Sequence, residues 1–214
     1  MVLVEKYEIS ICLNILIIIL EVIGLLLAYN SIRTIDLSYY TIDSNIFLLI
    51  SSILYLIYRN RRLKIISLLK YSSTLSVLVT FLVVILILLP MLDFNFNYLF
   101  LEHGGLFLHL LCPLIAFLSF IFFESHDIEN TLRNCLRGMY FTIIYATILI
   151  SLNILKIVNG PYPFLKVYEQ SLLMSVFWII GIMAGISLLS KGLLILNELI
   201  SVWCFICKLN HVTY

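Results

Sequence analysis

Residues 10–29, SICLNILIIILEVIGLLLAY, place Glu21 in an otherwise almost unbroken apolar run. A run of about 20 mainly apolar residues is the length of helix that crosses the hydrocarbon core of a bilayer. Glu5, Lys6 and Glu8 precede it and no small-residue cleavage site follows, so it reads as a retained helix rather than a removed leader. Glu21 is expected to face the interior of a bundle, because exposure to lipid would be costly.

Five further runs follow, so the reading is an all-α, polytopic membrane protein of six helices at roughly 10–29, 43–58, 68–90, 105–123, 138–157 and 171–200. Helix is the assignment because backbone groups in hydrocarbon must be satisfied within the segment, and the runs lack the alternation of barrel strands. Of the 214 residues 63% are hydrophobic and 12% charged, which leaves no soluble domain of any size. No internal repeat or Gly/Ser/Pro-rich linker divides the chain, so 1–214 reads as a single integral membrane domain.

Thirteen basic against 12 acidic residues give a net charge of +1, with no global field for nucleic acid. Placement is more informative. Arg59, Arg61, Arg62, Lys64 and Lys70 fall between the second and third runs, and Arg133 and Arg137 between the fourth and fifth. The positive-inside rule then puts those loops and both termini in the cytoplasm and the other loops outside. The five cysteines are odd in number and suit buried apolar positions better than a disulfide framework.

Polar residues in or beside the runs are the candidate functional positions. At the start of the second, Tyr39-Tyr40-Thr41-Ile42-Asp43-Ser44-Asn45 reads locally as a helix start, with Thr41 as N-cap and Asp43 in the first turn. His109 stands among apolar residues about 7 Å below the outward start of the fourth helix. Pro113, four residues on, cannot donate to the His109 carbonyl and is expected to bend the helix. The outward loop Asn159-Gly160-Pro161-Tyr162-Pro163-Phe164-Leu165 reads as a rigid turn with an aromatic headgroup anchor.

Thr41, His109 and the Tyr162–Phe164 loop therefore fall at one depth near the same face. A hydroxyl and an imidazole at one depth are the minimum for nucleophilic acyl chemistry, in which the base takes the hydroxyl proton as oxygen attacks a carbonyl. The expected pocket is walled by the second and fourth helices and capped by the 158–169 loop. Asn45 is a candidate oxyanion donor, with Ser44, Tyr162 and Phe164 as further substrate-contacting candidates. Glu102 and Asp93 are alternatives for orienting His109, or else solvated loop charges.

Other classes remain open on the residues. Metal or heme binding would use His103 and His109 with Glu102 or Asp93, but a spacing of six does not put both histidines on one helical face. Cys204, Cys207 and His211 supply only three ligands in a short tail. No metal or cofactor is therefore assigned. Transport would need a path through Asp43, Asn45, His109, Asn153 and Lys156, whereas the inner halves of the third and fourth helices read as almost wholly apolar. A noncatalytic lipid-binding protein would use Thr41 and His109 structurally.

Taken together, Tyr40-Thr41-Ile42, His109 with Pro113, and Tyr162-Pro163-Phe164-Leu165 resemble the androgen-induced family of multi-pass membrane threonine hydrolases, and Thr41-Ile42-Asp43-Ser44-Asn45 looks closer to its six-helix bacterial form. The resemblance implies a Thr41 nucleophile and a His109 partner cleaving lipid esters such as fatty acid esters of hydroxy fatty acids. It also implies a membrane lipid as partner and a bacterial plasma membrane as location.

Overall fold

A computed structural model describes residues 2–61, 63–124 and 128–212, with side-chain surroundings for 6–31, 33–61, 63–124 and 128–202. Arg62 and the side chains of Cys204, Cys207 and His211 lie outside the described residues. The main elements are α1 (Val2–Ile32), α2 (Tyr40–Tyr58), α3 (Lys64–Met91), α4 (Leu106–Phe123), α5 (Leu132–Ile154) and α6 (Leu172–Val212). All six contain a stretch long and apolar enough to cross a membrane, and no strand occurs among the described residues. The chain is an all-α, multi-pass integral membrane protein.

Burial is inverted relative to a water-soluble bundle. Leu172, Leu188 and Leu132 are among many large apolar side chains on the outside, while Asn14, Glu21, Ser44, Asn45, Ser52, Lys70, Ser73 and Thr74 are fully buried. Lipid tails offer apolar side chains no reason to hide, so helices associate through small residues and interhelical hydrogen bonds. The α2–α3 contact shows both: Ser51 and Ser73 hydroxyls meet at 2.6 Å, and Ser44 and Thr80 at 2.8 Å. Between α3 and α5, the missing Cβ of Gly138 makes room for the Tyr71 ring, which a Cβ would approach to 2.4 Å.

The inner half of α3 is therefore not apolar. Lys70, Ser72, Ser73, Thr74 and Ser76 are all buried there, and buried Thr80 continues this polar strip into the outer half. Leucine and valine residues between them mask the strip in a reading by mean hydropathy.

Helix bounds differ from the apolar runs mostly by extension. α1 and α6 extend beyond their expected bounds, to Val2 and Ile32 and to Val212, and α2 begins at Tyr40 rather than 43. α5 runs from Leu132, where the Thr131 hydroxyl accepts from the Asn134 amide, to Ile154. The bend expected at Pro113 takes the form of wide π-helical turns on either side of it, Leu106–Leu111 and Ser119–Phe123. Such turns recur at functional sites within α-helices.

Between α3 and α4 the chain makes a short helical segment, Asn97–Leu101, and turns back at Gly104-Gly105. Gly104 has φ +76°, and a Cβ there would sit 2.4 Å from the Gly24 carbonyl oxygen of α1. Only glycine suits both constraints. The turn lays Leu99 and Phe100 against the first turns of α4.

Candidate lipid site

α2 starts where Tyr39 is extended, at φ −87° and ψ 118°, and no side chain caps it. Thr41 is thus the second residue of the helix, not its N-cap, and its hydroxyl is available for other partners. Its carbonyl accepts from the Ser44 hydroxyl at 3.2 Å and from the Asn45 amide at 2.7 Å.

Thr41 lines an apolar pocket of about 90 Å³. The walls come from α2, α3, α5 and α6, including Val79, Val83, Ile150, Trp178 and Ile182, and α4 contributes no lining residue. The expected α2–α4 wall is corrected accordingly: α3, through Val79, Thr80, Val83 and Val84, lines the cavity where α4 was expected. The pocket shares Val79, Val83, Trp178 and Ile182 with a groove of about 270 Å³ between α3 and α6. Gly181 and Gly185 open that groove, and a Cβ at either would meet nothing within 4 Å.

One end of the pocket is polar. The Tyr40 hydroxyl pairs with the Thr142 hydroxyl at 2.6 Å, and the Tyr162 phenol lies close to the side chain and backbone of Thr41. Burial, partly offset by those contacts, pushes the Tyr162 phenol up to about 12, so it remains a neutral donor around pH 7.

The loop after α5 closes this end. Asn153 pins it at two points, donating to the Val158 carbonyl at 3.1 Å and accepting from the Val167 amide at 3.1 Å. Gln170 donates to the Phe164 carbonyl at 3.1 Å. Tyr162 and Phe164 stack at 5.2 Å between centroids, and Phe164 leans on Trp178 at 5.7 Å. Both rings are buried over the pocket rather than turned out as headgroup anchors. Asn153 is engaged in the loop, and Lys156 lies over the Tyr168 ring, so neither belongs to a transmembrane polar path.

His109 lies on the other side of α2. Its Nδ1–H donates to the Leu99 carbonyl at 2.7 Å, and its ring stands edge-on to Phe100. A carbonyl only accepts, so in the neutral ring this contact fixes the tautomer and leaves Nε2 unprotonated, the form a general base requires. The group that orients the imidazole is thus a backbone carbonyl, not Glu102 or Asp93. His103 is engaged elsewhere, with Glu102 at 3.5 Å and with Ser31.

Thr41 and His109 share no hydrogen bond, and His109 does not line the pocket. Asn45 connects their turns: its amide donates both to the Thr41 carbonyl and, at 3.2 Å, to the Leu108 carbonyl. With both hydrogens engaged it has none for an oxyanion. Ser44, buried against Thr80, lies outside the pocket lining as well.

Comparison with family models, with curated proteins and with solved structures returns no match. The site therefore rests on its own geometry. Sequence reading quoted Tyr40 in a motif without giving it a role of its own, and missed Thr142, Trp178 and the Leu99 carbonyl. Tyr40 and Trp178 look like ordinary interfacial aromatics in a linear sequence, and a backbone acceptor has no residue signature.

Proposed function

We propose that this protein is an intramembrane lipid-ester hydrolase of the androgen-induced type, with Thr41 as nucleophile and His109 as base. The observation that carries the reading is the position of the Thr41 hydroxyl, beside the Tyr162 phenol at the polar, loop-covered end of an otherwise apolar pocket. An acyl chain in the pocket and the α3–α6 groove would place its ester carbonyl at that end.

The Thr41 oxygen attacks the carbonyl, its proton passes to His109 Nε2, and the leaving alkoxide then takes that proton. Water, deprotonated in turn by Nε2, attacks the acyl-threonine, and that proton passes from Nε2 to the departing Thr41 oxygen as the acid is released. Tyr162 is the donor placed to stabilise the oxyanion. Since Thr41 and His109 do not touch in the resting structure, the mechanism includes a movement of the Leu108–His109 turn, or an intervening water, that brings Nε2 to the hydroxyl. Resting geometries of catalytic groups are often longer than working ones.

A second reading, binding of an acyl lipid without cleavage, is favoured by the absence of His109 from the pocket lining. Turnover separates the two. Purified protein in detergent is given long-chain fatty acid esters of hydroxy fatty acids, and free fatty acid is measured for wild type, Thr41→Ala and His109→Ala. The hydrolase reading expects release that falls by at least about a hundredfold in both variants. Saturable ester binding with no release in wild type selects the binding reading. The basic loops further support cytoplasmic termini and an outward-facing site, while a bacterial plasma membrane is what the resemblance implies.

A further inference from the structure

Hydrogen bonds close several seams around the acyl pocket. Ser44 and Thr80 join α2 to α3 at 2.8 Å, and Tyr40 and Thr142 join α2 to α5 at 2.6 Å. The loop over the polar end is pinned through Asn153 and Gln170. Between α3 and α6 the Tyr71 hydroxyl donates to the Ser190 carbonyl at 2.9 Å. From that level toward Thr41, no further hydrogen bond joins these two helices among the described residues.

The stretch without such bonds is the groove of about 270 Å³. Gly181 and Gly185 are exposed on its α6 edge, and Leu86 is 66% exposed on its α3 edge. No lining residue carries a charge, a hydroxyl or a side-chain amide, and both helices are membrane spans, so the medium beside the groove is hydrocarbon. Along α6 the groove runs from Trp178 to Leu189, about 16 Å at the helical rise. That is half of the roughly 30 Å hydrocarbon core, the depth filled by the acyl chains of one leaflet. On α3, Leu86 and Ile87 belong to a wide π-helical turn, Val84–Leu88, of the kind that recurs at functional sites.

We propose that this groove is a lateral entrance, through which the acyl chain of a lipid in the leaflet on the Thr41 side passes into the pocket. The inference rests on the pocket holding an acyl chain, but not on the chemistry of Thr41. A chain in that leaflet already lies along the groove, so it steps sideways from hydrocarbon into an apolar cleft and none of its methylenes crosses water. A chain delivered from the aqueous side would have to pass the pinned loop. The ester end comes to Thr41 while the rest of the chain keeps one flank on the bilayer. The substrate class that follows is a lipid dissolved in the membrane. Gly181 and Gly185 also have the spacing at which spanning helices pair. A second helix seated there would shut off Val83 and Trp178, which line groove and pocket alike, and this favours the acyl chain as occupant.

The test does not depend on ester cleavage. Trp203→Phe leaves Trp178, at the boundary of groove and pocket, as the one tryptophan of the chain. This full-length protein is placed in bromine-free phosphatidylcholine vesicles with a long-chain fatty ester, brominated at mid-chain, at low mole fraction. Two quantities are read: the ester retained by the protein, by mass spectrometry after affinity capture, and the emission of Trp178. Saturable retention with loss of most of the emission is expected, and both should be abolished by Gly181→Leu combined with Gly185→Leu, which fills the groove from open space. Leu86→Trp, read by retention alone, bulks the opposite edge and is expected to abolish retention by a second route, which decides the matter should the leucine variant not fold. Retention with Trp178 unquenched, or undiminished retention in a folded blocked variant, overturns the entrance and leaves the acyl pocket standing. No retention in the unblocked protein overturns the acyl reading, and the entrance with it. Pairing of the protein in vesicles that the two leucines abolish, with Trp178 unquenched, puts a second copy in the groove and overturns the entrance as well.

Discussion

The Asn45 side-chain amide donates to the Leu108 carbonyl at 3.2 Å and to the Thr41 carbonyl at 2.7 Å, so one side chain ties the turn that carries Thr41 to the turn before His109. Its own oxygen is buried without a partner. The contact joins residues 63 positions apart in the chain.

Asn45→Ala removes both hydrogen bonds and is expected to destabilise the folded protein by about 1–2 kcal/mol, the upper range for interhelical hydrogen bonds within membranes. Reversible unfolding in mixed micelles measures it. Unchanged stability would mean that the two turns are held by packing alone.

Gly104→Ala forces a side chain onto a φ of +76° and against the Gly24 carbonyl. A loss of more than about 1 kcal/mol is expected. Because this turn seats Leu99 against His109, the imidazole resonances should shift in the same variant. A stable protein with unchanged His109 signals would contradict the role given to the turn.

Lys70→Met removes the buried ammonium 3.6 Å from Glu124 Oε1, at an expected cost of about 3–5 kcal/mol. Adding Glu124→Gln to Lys70→Met should recover part of that loss, since a neutral amide replaces the buried carboxylate. The two unfolding curves would decide it; no recovery in the double variant would count against the ion pair.

The six spans and the all-α class were legible in the sequence, because a bilayer leaves helices as the solution for runs such as 10–29. Side-chain partners were not. Thr41 reads as an N-cap by residue type, yet the helix begins one residue before it and the residue lines the pocket. The hydroxyls of α3 vanish in a hydropathy average because leucine and valine alternate with them. Whether His109 faces Thr41 or Leu99 depends on the Gly104-Gly105 turn, a tertiary contact with α1 that has no local signature at position 109.

Tyr162 is neutral in the fold up to about 12 against an ordinary value of 10.0. Its contribution to stability is therefore fully present below about pH 10 and is lost as pH rises toward 12, where the unfolded chain gains by ionising and the folded one does not. Wild type should lose more thermal stability across that window than Tyr162→Phe. Parallel pH profiles for the two proteins would show that the phenol is not held neutral by burial.

Val83 lies where the pocket meets the α3–α6 groove, so Val83→Trp should shorten the chain that the site accepts. Each methylene excluded costs about 0.8 kcal/mol, roughly a fourfold loss of affinity. Binding of a fatty acyl series to the variant checks this, and an unaltered chain-length preference would place the acyl chain elsewhere.

The central claim is an activated threonine at the closed end of this pocket, and covalent capture tests it most directly. Purified wild type, Thr41→Ala and His109→Ala, each confirmed as folded, are treated with a long-chain alkyl fluorophosphonate, and the adduct is mapped by mass spectrometry. The hydrolase account predicts a phosphonyl group on Thr41 in wild type, absent in Thr41→Ala and reduced at least about a hundredfold in rate in His109→Ala. Folded wild type in which Thr41 stays unmodified, while the same alkyl chain competes with a bound lipid for the pocket, would contradict it and leave a lipid-binding protein.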